Sequence, residues 1–279
     1  MTISLFDLFS IGIGPSSSHT VGPMRAAHAF RQTICSQDHF CLSGYRIVAE
    51  LYGSLALTGK GHGTDIAIPL GLSGQLPHLV DPNNIPDLMQ MIYETKHILT
   101  DTTRFSFNPG QDLVFHYDQN LPKHANGMRF TLLDHANQIL IQQTYYSIGG
   151  GFFVDDDEFN HNELVQHEGP AIPYPYKNAT TLLKLCRRHH LTIAALVRAN
   201  ERNWKTDQEI DQGILEIWHV MSEAIDRGCH HPGILPGGLK VKRRAADLYQ
   251  KLSTSAQVDE MNWINLYALA VNEENAAGG

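Results

Sequence analysis

The sequence predicts an α+β protein, with an N-terminal mixed α/β domain followed by the start of an all-helical domain. β-rich runs alternate with helical patterns over residues 1–154. An acidic stretch with several prolines follows at 155–176, and this composition is typical of a linker. Beyond it, residues 177–279 show one helical pattern after another. We therefore predict two domains, 1–154 and 177–279, joined by a linker at 155–176.

Four elements are predicted in the N-terminal domain. Apolar residues recur with a helical period at 20–32, where Pro23 stands in the first turn, a position that tolerates proline. Residues 45–57 predict a strand that runs into a tight turn, and 85–99 predict a second helix. Two β-rich runs within 129–143 flank a short polar turn, so they predict a β-hairpin.

The C-terminal domain is predicted to be helical throughout. Thr206 and Glu209 have the spacing of a capping box, which marks the start of a helix. We expect Gly228 to end that helix as a left-handed cap. Helices are also predicted at 178–190, 192–202 and 259–275. The face that we expect the capping-box helix to bury comprises Ile210, Ile214, Ile217, Trp218, Met221 and Ile225.

Composition and charge exclude several classes of protein. The chain has 42% hydrophobic and 18% charged residues, which is enough apolar material for a real core. Its net charge of -8 argues against nucleic acid as a partner, because nucleic-acid-binding proteins present a basic face. No apolar run is long enough to span a bilayer, and residues 1–9 lack a signal-peptide pattern. We therefore expect a cytoplasmic protein with no membrane partner.

The cysteines match neither a zinc site nor a dense disulfide framework. In a cytoplasmic protein we expect them to be reduced, buried thiols. They are Cys35, Cys41, Cys186 and Cys229.

The first motif that suggests chemistry is a glycine- and serine-rich loop at 12–20 that leads into a helix. Hydroxyl groups and the unpaired N–H groups of a helix start can together bind a carboxylate or a phosphate. His19 in this loop can titrate near neutral pH. The alternative is a serine-rich helix cap with a surface histidine, and the loop is not a P-loop because the required lysine is missing. The hydroxyl residues concerned are Ser16, Ser17, Ser18 and Thr20.

A second motif, at 58–65, places three glycines around His62 after the predicted strand. Backbone N–H groups can approach a ligand closely in such a loop, and His62 would stand where a bound molecule can reach it. Lys60 adds a positive charge. A flexible hairpin loop is the alternative, and the residues alone do not decide between the two.

A third motif, at 121–130, contains the dipeptide Asn126-Gly127, a strong turn signal between β-rich runs. We therefore interpret this motif mainly as structural. His124 and Asn126 are nevertheless candidates for a subunit contact or for the rim of a site.

Two further motifs lie near the end of the sequence. At 232–245 a glycine- and proline-rich loop leads into a basic segment, in which Lys240 or Arg243 can pair with a substrate carboxylate; a solvated basic face is the alternative. At 272–279 polar residues at a helix end precede small residues, which allow another backbone to approach closely. A plain helix terminus explains that pattern equally well.

Each motif is weak by itself, but their order along the chain is specific. From Phe6 to the last residue, the sequence resembles the bacterial single-chain, iron-sulfur-dependent L-serine dehydratases. The segments that carry the resemblance are 14–23, 59–65, 124–130, 147–152, 234–245 and 274–279.

The resemblance implies a lyase that converts L-serine into pyruvate and ammonia, in amino-acid catabolism and gluconeogenesis. Enzymes of this family contain a [4Fe-4S] cluster and no pyridoxal phosphate. They have an N-terminal β domain and a C-terminal α domain, which agrees with the break predicted above. By analogy with aconitase-like dehydratases, one iron acts as a Lewis acid on the serine hydroxyl.

The resemblance also implies that the cluster ligands lie outside this sequence. The cysteines that hold the cluster in the family are expected beyond residue 279, and none of the chain's own cysteines matches a ligand position. We therefore interpret the sequence as truncated, with no metal ligand inside it. As a consequence, we expect this fragment alone to be inactive.

The resemblance and the chemistry together assign roles to the motif residues. We expect His62 to take the α-proton of serine, with His19 as the second choice or as its partner. His124 and Asn126 are expected at an interface or a second site, in a protein that the family suggests is a homodimer. Ser16, Ser17, Ser18 and Thr20 would hold the serine carboxylate, with Lys60 and Lys240 as charge partners.

Two other functions remain open. The N-terminal part is alternatively a regulatory module that senses an amino acid through 16–20. The chain is alternatively a non-catalytic subunit, because some family members are split into two chains, although this one continues past the linker. A metal hydrolase is disfavoured, since the sequence has no H-x-x-x-H pair on a helix. Serine and threonine cannot be told apart, because one methyl group changes binding by only about 1–3 kcal/mol.

Overall fold

The computed structural model describes residues 4–37, 44–99, 104–162, 172–235, 240–255 and 259–278. The chain forms two compact units, each discontinuous in sequence. The small unit comprises Met1–Ser10 and Leu164–Glu223, and the large unit comprises Ile11–Glu163 and Ala224–Gly279. The α+β class is confirmed. The domain boundaries at 155 and 176 stay a prediction.

The strands of the large unit form one sheet. They are β1 (Arg46–Tyr52), β2 (His97–Leu99), β3 (Arg104–Ser106), β4 (Leu113–His116), β5 (Gly127–Leu133), β6 (Ile139–Gly149) and β7 (Phe152–Asp155). The strand order is β2-β3-β1-β5-β6-β7, and β4 also pairs with β1. β3 and β4 run parallel to β1, whereas the other pairs are antiparallel.

Helices fill most of the remaining described chain. They are α1 (Leu5–Leu8), α2 (Gly22–Cys35), α3 (Gly53–Thr58), α4 (Thr64–Leu72), α5 (Ile85–Thr95), α6 (Pro109–Asp112), α7 (Asp156–Asn162), α8 (Ala179–His189), α9 (Ile193–Glu201), α10 (Asp207–His230), α11 (Ala245–Thr254) and α12 (Glu260–Ala277). A π-helical turn at Ser17–Val21 leads into α2, and 3₁₀ turns stand at Gly59–His62 and Pro82–Asn84. Among the described helices, none is both long and apolar enough to cross a bilayer.

The core of the large unit lies between the sheet and the helices α2 and α4. Alternate residues of β1 point into it, so Ile47, Ala49 and Leu51 are buried. Phe30 of α2 stacks on Phe130 of β5 with 5.4 Å between the ring centroids. An aromatic pair of this kind adds about 0.5–1.5 kcal/mol to the burial of the two rings.

The predicted hairpin is confirmed. β5 and β6 pair antiparallel, and Asn137 in the turn between them has a φ of 57°, a left-handed conformation that asparagine tolerates. The carboxylate of Asp134 accepts hydrogen bonds of 2.8 Å from the backbone N–H groups of Ala136 and Gln138. Asp134 therefore holds the turn that sets the register of the two strands.

The predicted helix at 20–32 is confirmed as α2, but two other predicted elements end too late. The strand predicted at 45–57 stops early because Gly53 adopts a φ of 55°, which favours glycine, and α3 begins there. The helix predicted at 85–99 stops early because Lys96 adopts a left-handed conformation at its end. The chain then continues as β2.

The prediction of a loop at 58–65 is wrong, and so is the alternative prediction of a flexible hairpin loop. These residues form the end of α3, a 3₁₀ turn and the start of α4. Gly63, with a φ of 69°, separates the turn from α4. The glycines therefore allow a sharp change of direction between helical segments, and the segment has a defined conformation.

The predicted C-terminal helices are confirmed as α8, α9, α10 and α12. The capping box is confirmed as well. The backbone N–H of Thr206 donates to Glu209 Oε2 at 2.7 Å, and the N–H of Glu209 donates to Thr206 Oγ1 at 3.3 Å. The side-chain oxygens thus satisfy two N–H groups at the start of α10 that have no partner within the helix.

Most of the predicted buried face of α10 is not buried. Ile210 is buried, but Trp218 is 57% exposed, and Ile214 and Met221 are exposed as well. Ile225 packs against a small core cluster, so helical periodicity correctly identified the apolar stripe but not how much of it is buried.

Gly228 does not end α10, which continues to His230. A Cβ atom at Gly228 would lie 2.4 Å from the carbonyl oxygen of Ala270. The glycine therefore allows α10 and α12 to approach closely, and the prediction of a helix cap is wrong.

The prediction of buried thiols holds for Cys186 and Cys229. It is wrong for Cys35, which is exposed because it is the last residue of α2. Cys41 lies outside the described residues.

The contact between α2 and α4 depends on Gly71. A Cβ atom there would lie 2.2 Å from the carbonyl oxygen of Met24. We expect Gly71→Ala to lower the free energy of unfolding by about 1–3 kcal/mol, because the two helices must separate to admit the methyl group. Urea denaturation followed by circular dichroism measures the change. Gly110→Ala is the control, since the nearest atom to a Cβ there is 3.6 Å away; equal losses in both variants would contradict this interpretation.

Candidate functional site

The two histidine-bearing motifs lie against each other in the large unit. Thr20 Oγ1 donates to the carbonyl oxygen of His62 at 2.6 Å, and Thr64 Oγ1 donates to the carbonyl oxygen of His19 at 2.5 Å. Both threonine side chains are buried. Because a buried carbonyl without a donor is costly, these two bonds hold the motifs at a fixed separation.

The serine-rich loop is organised by its own hydroxyl groups. Ser16 caps the π-helical turn, since its Oγ accepts from the backbone N–H of His19 at 3.2 Å. The N–H of Ser16 donates to Thr20 Oγ1 at 3.2 Å, and the Oγ atoms of Ser16 and Ser18 are 3.4 Å apart. The loop is therefore a helix cap, as its alternative interpretation required, but His19 in it is half-buried instead of lying on the surface.

The imidazole rings of His19 and His62 are neighbours, with 5.0 Å between their centroids. His19 Nδ1 is 2.9 Å from Ser18 Oγ, and its Nε2 is 3.0 Å from Ser54 Oγ. His62 Nδ1 is 2.9 Å from the carbonyl oxygen of Thr58. A carbonyl can only accept, so His62 Nδ1 carries a proton and Nε2 of the neutral ring has a lone pair available.

The environment favours a neutral His19. Burial lowers the pKa of His19 below its ordinary value, and positive charge on the neighbouring His62 lowers it further. A hydrogen bond with Ser54 opposes these two effects. The pair therefore disfavours a state in which both rings are charged.

A cavity of about 590 Å³ lies in the large unit beside this pair. Gly61 and Gly63, on either side of His62, contribute to its wall, whereas the rings of His62 and His19 do not. The cavity brings together four of the five motifs. Its polar and charged lining residues are Thr20, Lys60, Asp65, Asn83, Tyr93, Arg227, His231, Arg243 and Glu274.

Lys60 and Asp65 supply opposite charges to one wall. Burial raises the pKa of Asp65, and the positive charge of Lys60 partly offsets that effect. Lys60 Nζ also lies 4.9 Å from the centroid of the Phe115 ring, within the range of a cation–π contact.

Glu274 is the centre of a buried charge cluster on another wall. Its Oε1 accepts from Arg243 Nη1 and, at 3.2 Å, from His231 Nδ1, and its Oε2 accepts from Arg227 Nε at 3.3 Å. Burial by itself would raise the pKa of Glu274, but the hydrogen bonds and charges of Arg243 and His231 outweigh burial and lower it. Glu274 is therefore ionised and holds three cationic or titratable side chains together.

The neighbouring Glu273 explains how these side chains come to the same place. Its carboxylate accepts from the backbone N–H groups of Arg244 at 2.9 Å and Ala245 at 3.1 Å. It thereby caps the start of α11 from the last turns of α12. Arg243, immediately before α11, is held beside Glu274 as a result.

The first and last motifs also meet directly. Asn275 Nδ2 donates to the carbonyl oxygen of Pro15 at 3.4 Å. A Cβ atom at Gly14 would lie 2.1 Å from Asn275 Oδ1, so glycine is required for this approach. The small residues after Asn275 line the cavity, which agrees with the close backbone approach expected from that motif.

The structure brings most of the predicted site residues together. Thr20 and Lys60 line the cavity, His19 lies next to His62, and Ser16 and Ser18 contact His19. Ser17 is exposed in the π-helical turn. Lys240 is exposed and does not line the cavity. The roles assigned to these residues stay predictions.

His124 and Asn126 have structural contacts of their own. Asn126 Nδ2 donates to the carbonyl oxygen of Ser147 at 3.1 Å, and the N–H of Ser147 donates to the carbonyl oxygen of Asn126 at 3.0 Å. The N–H of Asn126 donates to His124 Nδ1 at 3.1 Å. These bonds join the start of β5 to β6, and a role at an interface stays a prediction.

Sequence reasoning missed several residues of the site. Ser54 lies in a segment that was predicted to be the end of a strand, so no pattern marked it as a site residue. Arg227 and His231 have the i, i+4 spacing of an ordinary solvated helix end, so no pattern marks them. Glu274 was assigned only to a polar helix terminus, because burial of a carboxylate cannot be seen in a sequence.

The described residues do not offer a site for a metal or a cluster. Among them, no group of three histidine, cysteine or acidic side chains is placed to hold a metal ion. Neither Cys35, Cys186 nor Cys229 lines the cavity. The described residues therefore do not by themselves fit an iron-sulfur cluster.

Comparison with known proteins identifies the family. Residues 4–158 match the model of the serine dehydratase beta chain, and residues 188–279 match that of the serine dehydratase alpha chain. The chain belongs to the serine dehydratase family. The unmatched segment 159–187 overlaps the predicted linker.

Named relatives agree with this assignment. The chain is 47% identical to L-serine dehydratase of Streptomyces coelicolor, with 100% of this chain and 62% of the relative covered. It is 44% identical to L-serine dehydratase 2 of Escherichia coli, with 99% and 61% covered, and 42% identical to L-serine dehydratase of Haemophilus influenzae, again with 99% and 61% covered. The chain thus spans about three fifths of the length of these relatives.

The coupling between the two rings can be measured directly. We expect the pKa of His19 to lie below its ordinary value and to rise in a His62→Asn variant, because the variant removes the repelling charge. Titration of the imidazole C–H resonances by NMR gives both values. His97→Asn, which changes a half-buried histidine of β2, is the control. A pKa of His19 that stays unchanged in the His62 variant would show that the rings are not coupled.

Proposed function

We propose that the protein is an L-serine dehydratase, which converts L-serine into pyruvate and ammonia. The observation that supports the proposal most strongly is the histidine pair beside a cavity lined by lysine and arginine. An amino acid offers a carboxylate for the cations and an α-proton for an imidazole. The names of the relatives point to the same substrate.

His62 is the proposed base. Thr58 fixes the proton on Nδ1, so the lone pair of Nε2 can accept the α-proton of serine. The electron pair of the broken C–H bond forms the Cα–Cβ double bond, and the hydroxyl group leaves as water with the proton that His62 took up. The aminoacrylate that results tautomerises to an imine, which water hydrolyses to pyruvate and ammonia.

His19 is the proposed partner of that base. Both of its ring nitrogens already face hydroxyl groups, those of Ser18 and Ser54. Its lowered pKa keeps it neutral when His62 takes up a proton, so it does not repel the protonated ring. His19 therefore positions and solvates His62 more readily than it accepts the proton itself.

The remaining assignments follow from the family resemblance. We propose that Ser16, Ser17, Ser18 and Thr20 contact the serine carboxylate, with Lys60 and Lys240 as charge partners. We also propose a [4Fe-4S] cluster as the cofactor, which would supply a Lewis acid for the leaving hydroxyl group. We also propose a cytoplasmic homodimer that uses no pyridoxal phosphate, with His124 and Asn126 at an interface or second site.

The decisive test measures pyruvate formation from L-serine under anaerobic conditions. It compares the 279-residue chain with a chain extended to the length of its relatives, each reconstituted with iron and sulfide. We expect activity and a [4Fe-4S] absorbance only in the extended chain. An extended chain that takes up a cluster but leaves serine unchanged would disprove the proposal that L-serine is the substrate. The regulatory amino-acid-binding function would then become the better explanation.

In the extended chain, His62→Asn tests the base. We expect kcat to fall by about 10²- to 10⁴-fold with little change in serine binding, because general base catalysis contributes that much. His135→Asn, at the turn after β5, is the matched control and should retain activity. Loss of serine binding together with turnover would instead indicate that His62 only shapes the site.

A further inference from the structure

The charge cluster around Glu274 has an unused capacity to donate hydrogen bonds. A guanidinium group carries five N–H donors. Arg243 uses one nitrogen, Nη1, on Glu274, and Arg227 uses one nitrogen, Nε, on the same carboxylate. Within the described residues, neither guanidinium has another hydrogen bond. Both side chains line the cavity, so their remaining donors are available to a bound molecule.

The cluster also has an excess of positive charge. Glu274 carries one negative charge against two permanent positive charges on Arg227 and Arg243, and His231 adds a third when protonated. Arg243 and Glu274 are buried, so the excess charge is only weakly screened by solvent. Lys60 and Asp65, which also line the cavity, carry charges of opposite sign. An anion is therefore favoured on the arginine side.

The serine-rich loop, proposed above to contact the carboxylate, can supply only part of the hydrogen bonds that a carboxylate accepts. Thr20 donates its hydroxyl proton to the carbonyl oxygen of His62, and Ser16 and Ser18 are engaged with each other and with His19. The arginine side, in contrast, provides planar donor groups that match the two oxygens of a carboxylate.

We propose that Arg227 and Arg243 form a carboxylate-binding site in the cavity, and that Glu274 is the residue that positions them. The inference rests on the proposed function in one respect, namely that the carboxylate is the α-carboxylate of L-serine. Glu274 cannot itself act as a base, because both of its oxygens already accept hydrogen bonds. Its role is to hold the two guanidinium groups side by side.

A purely structural role is the competing explanation. Glu274 stands in the last turn of α12, where the helix dipole is negative, so two arginines there also offset that charge. Such a role predicts a loss of stability on substitution. It does not predict any discrimination between a carboxylate ligand and the corresponding amide.

The test measures dissociation constants of L-serine and L-serinamide, which lacks the carboxylate, for the 279-residue chain by isothermal titration calorimetry. We expect the wild type to prefer L-serine by about tenfold or more, because a paired guanidinium–carboxylate contact is among the stronger hydrogen-bonded contacts. Arg243→Gln and Arg227→Gln should abolish the preference. Arg243→Lys should restore part of it, since lysine keeps the charge but loses the planar donor pair.

Two controls keep stability separate from recognition. Arg198→Gln removes a comparable arginine in the small unit, which is paired with Asp207 and Asp211, and should leave the preference unchanged. Glu274→Gln should weaken the preference although both arginines remain, because they are no longer held together. Circular dichroism shows whether each variant is folded. No preference in the wild type, or an unchanged preference in folded Arg243→Gln and Arg227→Gln, would overturn the proposal.

Failure of the proposed function would give a different result. If the extended chain does not act on L-serine while the arginine-dependent preference persists, the carboxylate site stands and the dehydratase proposal falls. If the extended chain does act on L-serine but the arginine variants leave its KM unchanged, the carboxylate site falls alone. In the expected case, the arginine variants raise KM by about tenfold or more with a smaller change in kcat.

Discussion

The two hydrogen bonds that Thr20 and Thr64 donate to the carbonyl oxygens of His62 and His19 are the contacts on which the site depends. Each joins one histidine-bearing segment to the backbone of the other. Because both hydroxyl groups are buried, loss of either would leave a carbonyl unsatisfied, at a cost of about 1–3 kcal/mol. The 5.0 Å between the two imidazole rings follows from this cross-linking of segments that lie on either side of β1 in the sequence.

The polar groups around the cavity are of two kinds. On the histidine side, burial and the positive charge of His62 lower the pKa of His19, which favours its neutral form. On the side of α12, charge prevails, since Glu274 stays ionised between two arginines and a histidine. The proposed reaction would use both sides, with the positive charge for the carboxylate of L-serine and an uncharged imidazole for its α-proton.

Local patterns predicted the regular elements well where a local cause sets them. The hairpin of β5 and β6, the capping box at Thr206 and the helix α2 follow from short-range hydrogen bonding and periodicity. The predictions were wrong where contacts between residues far apart in sequence determine the structure. Gly228 was predicted to end the helix as a cap. Glycine is needed there because a Cβ atom would collide with the backbone of Ala270. The apolar face of α10 has the right period, yet Trp218 on that face is exposed.

The sequence by itself determined the family, the α+β class and the segments that contribute to the site, because motif order and residue type are properties of the chain. It also indicated His62 as the candidate base, with His19 as the second choice or as its partner. Only the tertiary structure decided that Ser54, Arg227, His231 and Glu274 belong with them. Burial and charge pairing arise between segments far apart in sequence, and Glu274 becomes a buried, ionised carboxylate only when α10, α12 and the start of α11 meet.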